Sequence, residues 1–276
     1  MTLFDAFRYD GKRVLVVGAA SGMGAALAEL VQEAGAEVVV MDIAECSLAG
    51  SKEIRMDLAD KASLDAAIDQ CGEPLDALFL CAGVADGTAG IEKVNFLGHR
   101  YLIDRLLALD ALPRGSAIAF ISSAAGLGWE ADLELLNEYL DVADFELAAQ
   151  WAVEHGKADY MWSKEAVCAY VARQAFPMLQ RGIRINAICP GPTDTPLARA
   201  NAETWLGFGA DYRDELNIQA STPLEQAYPL AFLCSDAAAA LNGVTLISDV
   251  GYISSGITGS YPSATPVAQF LTGKLR

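Results

Sequence analysis

RVLVVGAASGMG, residues 13–24, decides the fold. An apolar, β-branched run (13–19) leads directly into a turn with glycines at 18, 22 and 24. A helix-competent segment follows over 22–34, with Ala26, Leu30, Val31 and Ala34 at helical spacing. This is a buried strand, a tight turn and an amphipathic helix in immediate succession. Gly18 lets the chain turn sharply off the strand. Gly22 and Gly24 carry no side chain that would hold an anion away from the helix N-terminus, where free N–H groups and the helix dipole favour phosphate. Ser21 adds a hydroxyl donor, and Met23 lies inside the same loop.

The pattern continues outward. AEVVVMD (36–42), EIRMDL (53–58), ALFLCAG (77–83), SAIAFISS (116–123), IRINAIC (183–189) and GVTLISD (243–249) read as further strands. Helical segments at 61–70 and near 95–109 separate some of them. Strands that are apolar throughout and joined by helices predict a parallel sheet covered on both faces. Crossovers are right-handed, so the expected fold class is α/β: a doubly wound Rossmann fold with a seven-stranded parallel sheet. One domain over residues 1–276 is expected, with no repeat or linker. Residues 128–157, GWEADLELLNEYLDVADFELAAQWAVEHGK, break the alternation. They are acidic and Leu-rich, and they predict one or two amphipathic helices inserted after strand five.

Ligands of such sheets bind at the carboxyl ends of the strands. Asp42 ends strand two about 20 residues past the glycines, the place of a ribose-reading acid, with Ile43 next to it. A carboxylate there accepts bonds from ribose hydroxyls and repels a 2′-phosphate. No Arg or Lys stands in the loop or directly after Asp42 to offset that, so NAD is expected over NADP. Asp57 and Leu58 end strand three, where Asp57 can accept from an adenine amino group. Cys81, Ala82 and Gly83 end strand four, where the backbone can pass close to a ribose.

The formal net charge is −17. Such a surface repels nucleic-acid phosphates and anionic lipid, so neither partner is expected. The six cysteines form no CxxC pair and no disulfide framework. Cys81, Cys168, Cys189 and Cys234 sit in apolar stretches and read as small core residues. The N-terminal stretch lacks the apolar region of a signal peptide, and no apolar run reaches membrane-span length. A cytoplasmic location is expected. His99 and His155 are the only histidines and have no spaced partners, so no metal site is expected.

YMWSK (160–164) places Tyr160 and Lys164 one helical turn apart on one face. A phenol titrates near 10, too high for a good base at neutral pH. An ammonium beside it favours phenolate, as does an oxidised nicotinamide ring, and Tyr160 then becomes an acid–base catalyst for an alcohol. The pair alone is a common coincidence, and its plain reading is a packed Tyr beside a snorkelling Lys. ISSAAG (121–126) supplies Ser122 and Ser123, hydroxyls able to donate to a developing alkoxide. Asn95 either kinks its helix and holds a relay water for Lys164, or is a plain buried amide. PGPTDTP (190–196) puts a rigid Pro190–Gly191–Pro192 turn after strand six, with Thr193 and Thr195 placed to bond a nicotinamide carboxamide or a phosphate. The stretch beyond it carries Trp205, Phe208 and Tyr212 and suits a substrate lid over about 193–217.

Taken together, GAASGMG, Asp42, MDL (56–58), CAG (81–83), Asn95, ISSAAG, YMWSK, RINAICPGPTDTP and ISDVGY (247–252) resemble the short-chain dehydrogenases/reductases, in that family's order. The resemblance implies hydride transfer between an alcohol and NAD. It implies a catalytic tetrad of Asn95, Ser123, Tyr160 and Lys164, with Ser123 preferred over Ser122 because it directly precedes the small-residue turn. It also implies a homodimer or homotetramer acting on a small alcohol or carbonyl compound. Within the family, a comparable insertion occurs in the bacterial 3α-hydroxysteroid dehydrogenase/carbonyl reductase and coniferyl alcohol dehydrogenase subgroup. A bulky apolar secondary or aryl-allylic alcohol is therefore expected. The alternative is a catalytically silent NAD-binding sensor or partner protein of the same family, which a missing Ser, Tyr or Lys would betray. Three departures stand out. Cys81 replaces the family's Asn, Val250 replaces the first Gly of its strand-seven motif, and residues 128–157 widen the interval from Ser123 to Tyr160. The insertion is expected either to line the pocket or to alter assembly.

Overall fold

The computed structural model describes residues 2–72 and 74–275. Seven strands form one all-parallel sheet: β1 (Arg13–Val17), β2 (Glu37–Asp42), β3 (Lys52–Arg55), β4 (Ala77–Leu80), β5 (Ala117–Ile121), β6 (Arg184–Pro190) and β7 (Thr245–Ser248). The order is β3-β2-β1-β4-β5-β6-β7. The winding direction reverses between β1 and β4, which opens a crevice beyond their carboxyl ends. This is the doubly wound Rossmann fold expected from the sequence.

Period-two alternation sends successive side chains of each strand to opposite faces. Leu15 and Val17 enter one apolar core, and Val14 and Val16 enter the other. α1 (Gly22–Glu33) and, further along the chain, α10 (Pro223–Cys234) cover the second face. α2 (Lys61–Cys71), α3 (Gly98–Ala108) and α6 (Tyr160–Arg181), reached after the insertion, cover the first. β3 stops at Arg55, so Asp57 and Leu58 lie in the turn beyond it and not at the strand's last positions. The helix expected near 95–109 starts earlier, with one π-helical turn over Lys93–Leu97 that contains Asn95.

The insertion folds as two helices, α4 (Leu133–Asp141) and α5 (Phe145–Glu154). Asp144 starts α5 by accepting from the Glu146 and Leu147 N–H groups, each at 3.0 Å. Leu136, Tyr139, Phe145 and Ala148 bury against the first core. Tyr139 stacks on Trp151 at 5.1 Å and packs against Trp162 at 6.1 Å. Trp162 belongs to α6 (Tyr160–Arg181), the helix that carries YMWSK.

Three short helices follow β6: α7 (Pro196–Ala200), α8 (Ala202–Trp205) and α9 (Ala210–Leu216). The segment is pinned at its base, where Ser221 N–H donates to Pro192 O at 3.0 Å and Asp194 N–H donates to Ser221 O at 2.8 Å. α10 (Pro223–Cys234), α11 (Tyr252–Thr258) and α12 (Thr265–Leu271) complete the chain. α11 and α12 form a small third apolar cluster with Ala124, Met161 and Phe208. Among the described residues, no helix is long and apolar enough to cross a membrane.

Candidate active site

The glycine loop is built around close backbone approaches. Gly18 has φ +86°, and a Cβ there would sit 2.4 Å from the Ala82 nitrogen. A Cβ on Gly24 would sit 2.0 Å from the Gly18 carbonyl oxygen. Both contacts lie far inside van der Waals distance, so any side chain forces the loop open. Ser21 occupies the N-cap of α1 in an extended conformation, yet its hydroxyl makes no cap bond. A capping serine normally satisfies one of the helix's free N–H groups; here the helix end and the hydroxyl both remain available to an anion.

Asp42 braces this loop. One carboxylate oxygen accepts from Ala20 N–H and the other from Ala44 N–H, each at 2.9 Å. The side chain is thereby fixed against the glycine loop, with Ile43 exposed beside it. Asp57 braces its own turn, accepting from Ala59 N–H at 2.8 Å. Cys81 is bonded through its N–H to Val17 O at 2.8 Å. It is half-buried, packing against the second core and lining the cavity, while Cys168, Cys189 and Cys234 are buried. His99 donates from Nε2 to the Ala82 carbonyl at 3.1 Å and holds this strand end. Burial pushes its imidazole down to about 4, so it is neutral at physiological pH.

The cavity at the carboxyl ends of β4, β5 and β6 has a volume of about 320 Å³. Ser123, Tyr160 and Lys164 converge on its floor. Ser123 and Tyr160 face the same cavity, near enough for the Ser123 hydroxyl to favour the phenolate. Lys164 Nζ lies 5.5 Å from the Tyr160 ring centroid and donates to Ile121 O at 3.1 Å. Gly83 lies beside this lysine: a Cβ there would be in ordinary contact with Nζ at 3.4 Å and tight against Asn95 Oδ1 at 3.3 Å. Ser122 points the other way. It is buried and donates to Lys164 O at 2.8 Å, so of the two adjacent serines only Ser123 reaches Tyr160.

Electrostatics modify one expectation. Burial pushes the Tyr160 phenol up to about 12, against the opposing effect of the Ser123 hydroxyl. Burial also pulls the Lys164 ammonium down to about 8. In the protein alone, desolvation therefore outweighs the help that a neighbouring ammonium gives the phenolate.

Asn95 is buried, and its amide is heavily used. Oδ1 accepts from Val84 N–H at 2.7 Å, and Nδ2 donates to Val84 O and to Ser163 Oγ, both at 3.1 Å. Both amide hydrogens are thus taken by the protein, which leaves the side chain no donor for a relay water. Beyond β6, Gly191 passes so close to Asp249 that a Cβ would meet the Asp249 Cβ at 2.8 Å. Thr193 donates to Gly191 O at 3.0 Å, and Thr195 caps α7 by accepting from Ala198 N–H at 3.1 Å. Both threonines face the cavity, as does Pro190.

The lid aromatics divide. Trp205 lies over Tyr160 with ring centroids 5.0 Å apart, and Phe208 also lines the cavity. Tyr212 does not. It packs edge-on against Tyr252 and Tyr261, and its hydroxyl donates to Val250 O at 3.1 Å. Among the described residues, none of 128–157 lines the cavity. The insertion instead buries its apolar face on α6 and the first core. Sequence reasoning missed Asp86, Met161 and Leu271, all cavity-lining. Met161 and Leu271 sit where helical periodicity alone cannot say which face meets the site. Asp86 lies in a loop that carries no recognisable motif.

Known proteins resemble this chain in sequence and in fold. Residues 12–131 match the family model for short chain dehydrogenase, and residues 145–253 match a model described as Enoyl-(Acyl carrier protein) reductase. A coniferyl-alcohol dehydrogenase of Pseudomonas sp. (strain HR199 / DSM 7063) is 32% identical, over 88% of this chain and 97% of that protein. The chain belongs to the short-chain dehydrogenase family. It is also 31% identical to a 3-alpha-hydroxysteroid dehydrogenase/carbonyl reductase of Comamonas testosteroni, over 86% of this chain and 95% of that one. The solved 3-alpha-hydroxysteroid dehydrogenase from Pseudomonas sp. B-0831, complexed with NADH, superposes with a TM-score of 0.73 at 29% identity, covering 90% of this chain and 99% of that one. Membership makes the chain an oxidoreductase of this family.

Proposed function

We propose that this chain is an NAD(H)-dependent alcohol dehydrogenase/carbonyl reductase acting on a bulky apolar secondary or aryl-allylic alcohol. The observation that carries the proposal is the convergence of Ser123 and Tyr160, with Lys164 behind them, on the floor of an otherwise largely apolar cavity. The crevice fits a dinucleotide. The Gly18 and Gly24 positions form a cradle that any Cβ would fill, the Ser21 hydroxyl and the α1 N-terminus suit a pyrophosphate, and Asp42 suits an unphosphorylated ribose. Leu58, Ala82, Ile43 and Met23 would flank the adenosine and pyrophosphate, with Pro190, Gly191, Thr193 and Thr195 at the nicotinamide end. Bound there, the cofactor supplies a hydride acceptor or donor.

The protein's own groups handle the proton. In the oxidising direction Tyr160 takes the hydroxyl proton of the alcohol as its carbinol carbon loses hydride. In the reducing direction it returns that proton to the carbonyl oxygen. Ser123 donates to the same oxygen and steadies the charge it develops. Lys164 stands where it can bond a ribose hydroxyl and bias Tyr160 toward phenolate. Met161, Leu197, Trp205, Phe208 and Leu271 give the substrate side an apolar wall and exclude water from the transfer. The names of the coniferyl-alcohol and hydroxysteroid relatives support a bulky, hydrophobic alcohol. A cytoplasmic homo-oligomer belongs to the same proposal: the edge strand β7 exposes Leu246 and Ile247, and all six cysteines are free thiols.

A panel of steroid, cinnamyl and simple benzylic alcohols with NAD, followed by NADH absorbance, tests substrate class. Tyr160→Phe should retain NAD binding and lose about 10²–10⁴-fold in turnover. Near-normal turnover in that variant would sink the mechanism.

A further inference from the structure

The segment leaving β4 is tied down at two points. Asn95 grips both main-chain groups of Val84. Two residues on, Asp86 Oδ1 accepts from the Tyr160 N–H at 2.6 Å. Tyr160 is the first residue of α6, and its N–H is one of those a helix leaves unpaired at its start. The helix already has its own cap, since Asp159 accepts from Trp162 N–H at 2.8 Å. Asp86 is thus a second acceptor, delivered from another element to the one residue on which the chemistry turns. It is also the only carboxylate that lines the cavity among the described residues.

We infer that Asp86 is a positioning residue for Tyr160, locking the start of α6 to the β4 exit and placing a fixed negative charge beside the phenol. The inference rests on the reading of Tyr160 as acid–base and deepens it. Placement comes from the main-chain bond: the Tyr160 backbone cannot shift without breaking it. The charge acts on the phenol itself, because a carboxylate opposes phenolate formation. The other groups facing that phenol are the Ser123 hydroxyl from the turn after β5, the Cys189 thiol from β6 and Lys164 from α6. Trp205 of α8 faces it without charge. Asp86 is therefore the acidic counterweight to Lys164, and it raises the pH at which Tyr160 becomes a base.

Two substitutions separate the roles. Asp86→Asn keeps an acceptor oxygen for Tyr160 N–H and removes the charge; Asp86→Ala removes both. The readout is the tyrosinate absorbance of the NAD-saturated protein against pH, taken as the component that Tyr160→Phe abolishes. Asp86→Asn should titrate lower than the wild type by on the order of half a pH unit. With cinnamyl alcohol as probe, the acid limb of kcat should move down by the same amount. Asp86→Ala should share the downward shift, lose about ten-fold more turnover than Asp86→Asn and show a raised KM. Unchanged midpoints in both variants, or equal turnover in the two, would overturn the inference. Full turnover in Tyr160→Phe would instead remove the acid–base reading, while the titration still reports whether Asp86 acts on the phenol.

Discussion

The Asn95 side chain grips both main-chain groups of Val84, accepting from its N–H at 2.7 Å and donating to its carbonyl at 3.1 Å, and so behaves as a substitute strand partner where β4 has ended. The π-helical turn over Lys93–Leu97 is what carries this amide. Its remaining hydrogen goes to Ser163, whose hydroxyl donates to Tyr160 O at 2.7 Å. Asn95 thus reaches the active site through bonds, at both the β4 exit and the first turn of α6. Asn95→Ala would leave these groups unsatisfied at about 1–3 kcal/mol each where water cannot replace the amide. The expected outcome is a melting temperature lower by several degrees together with loss of turnover. A stable, inactive variant would point instead to a direct chemical role.

Lys164 makes a testable trade of stability for function. Burial lowers its pKa from 10.5 to about 8, so the folded protein carries a desolvated ammonium at neutral pH. The sign follows from proton counting: between pH 8 and 10.5 the unfolded chain binds more protons than the folded one, so stability rises with pH across that window. Below pH 8 the full penalty applies, on the order of 3 kcal/mol before the bond to Ile121 O offsets about 1. Lys164→Met should therefore melt a few degrees higher than the wild type at pH 7 while losing turnover. The difference should shrink as pH climbs from 8 toward 10.5. Thermal melts of both proteins at pH 7 and pH 9.5 check this, and a constant difference would contradict it.

Val250 stands in a glycine's place and adopts a glycine's conformation, with φ +52°. For a β-branched residue the left-handed region costs roughly 1–2 kcal/mol. The turn is held regardless, because Asp249 accepts from Gly251 N–H at 2.9 Å and from Ile253 N–H at 2.7 Å. The Val250 side chain is 58% exposed, so little burial is lost on removing it. Val250→Gly should stabilise the protein by about 1 kcal/mol, a rise of ~2–4 °C in melting temperature for a chain of this size. A lower melting temperature would mean that the side chain packs against something, such as a second copy of the chain.

That position shows where sequence reading stops. The replacement of a family glycine was visible at Val250, but whether the backbone had changed with it was not, because φ is set by Asp249 and the turn around it. The glycine loop was legible for the opposite reason: Gly18 and Gly24 are demanded by approaches of 2.4 and 2.0 Å that no other residue survives. The doubly wound class and the seven parallel strands followed from apolar runs and right-handed crossovers. The insertion was legible as helix but not as to its target, since an amphipathic stripe does not say which core it meets. Tyr212 illustrates the same limit: it shares the lid with Trp205 and Phe208 yet turns toward Tyr252. Asp86 left no trace in the sequence, because its partner is a main-chain N–H contributed from far along the chain.

Asp42 carries the claim about cofactor choice, and its bonds sharpen the test. Each oxygen already accepts one main-chain N–H, from Ala20 and Ala44. The carboxylate is therefore held by the protein against the glycine loop at the end of β2. A 2′-phosphate would meet this fixed charge with no Arg or Lys in the glycine loop or directly after Asp42 to offset it. The wild type should accordingly use NAD far better than NADP, by at least ~100-fold in kcat/KM, which corresponds to roughly 3 kcal/mol of discrimination. Asp42→Ala would remove the repulsion but also free the Ala20 N–H and loosen the loop, so both cofactors should bind poorly. Asp42→Asn keeps one acceptor for the loop and removes the charge, and it should narrow the preference chiefly by losing NAD. Steady-state kinetics with both cofactors on the three proteins decide the matter, and equal use of NAD and NADP by the wild type would overturn the assignment of Asp42.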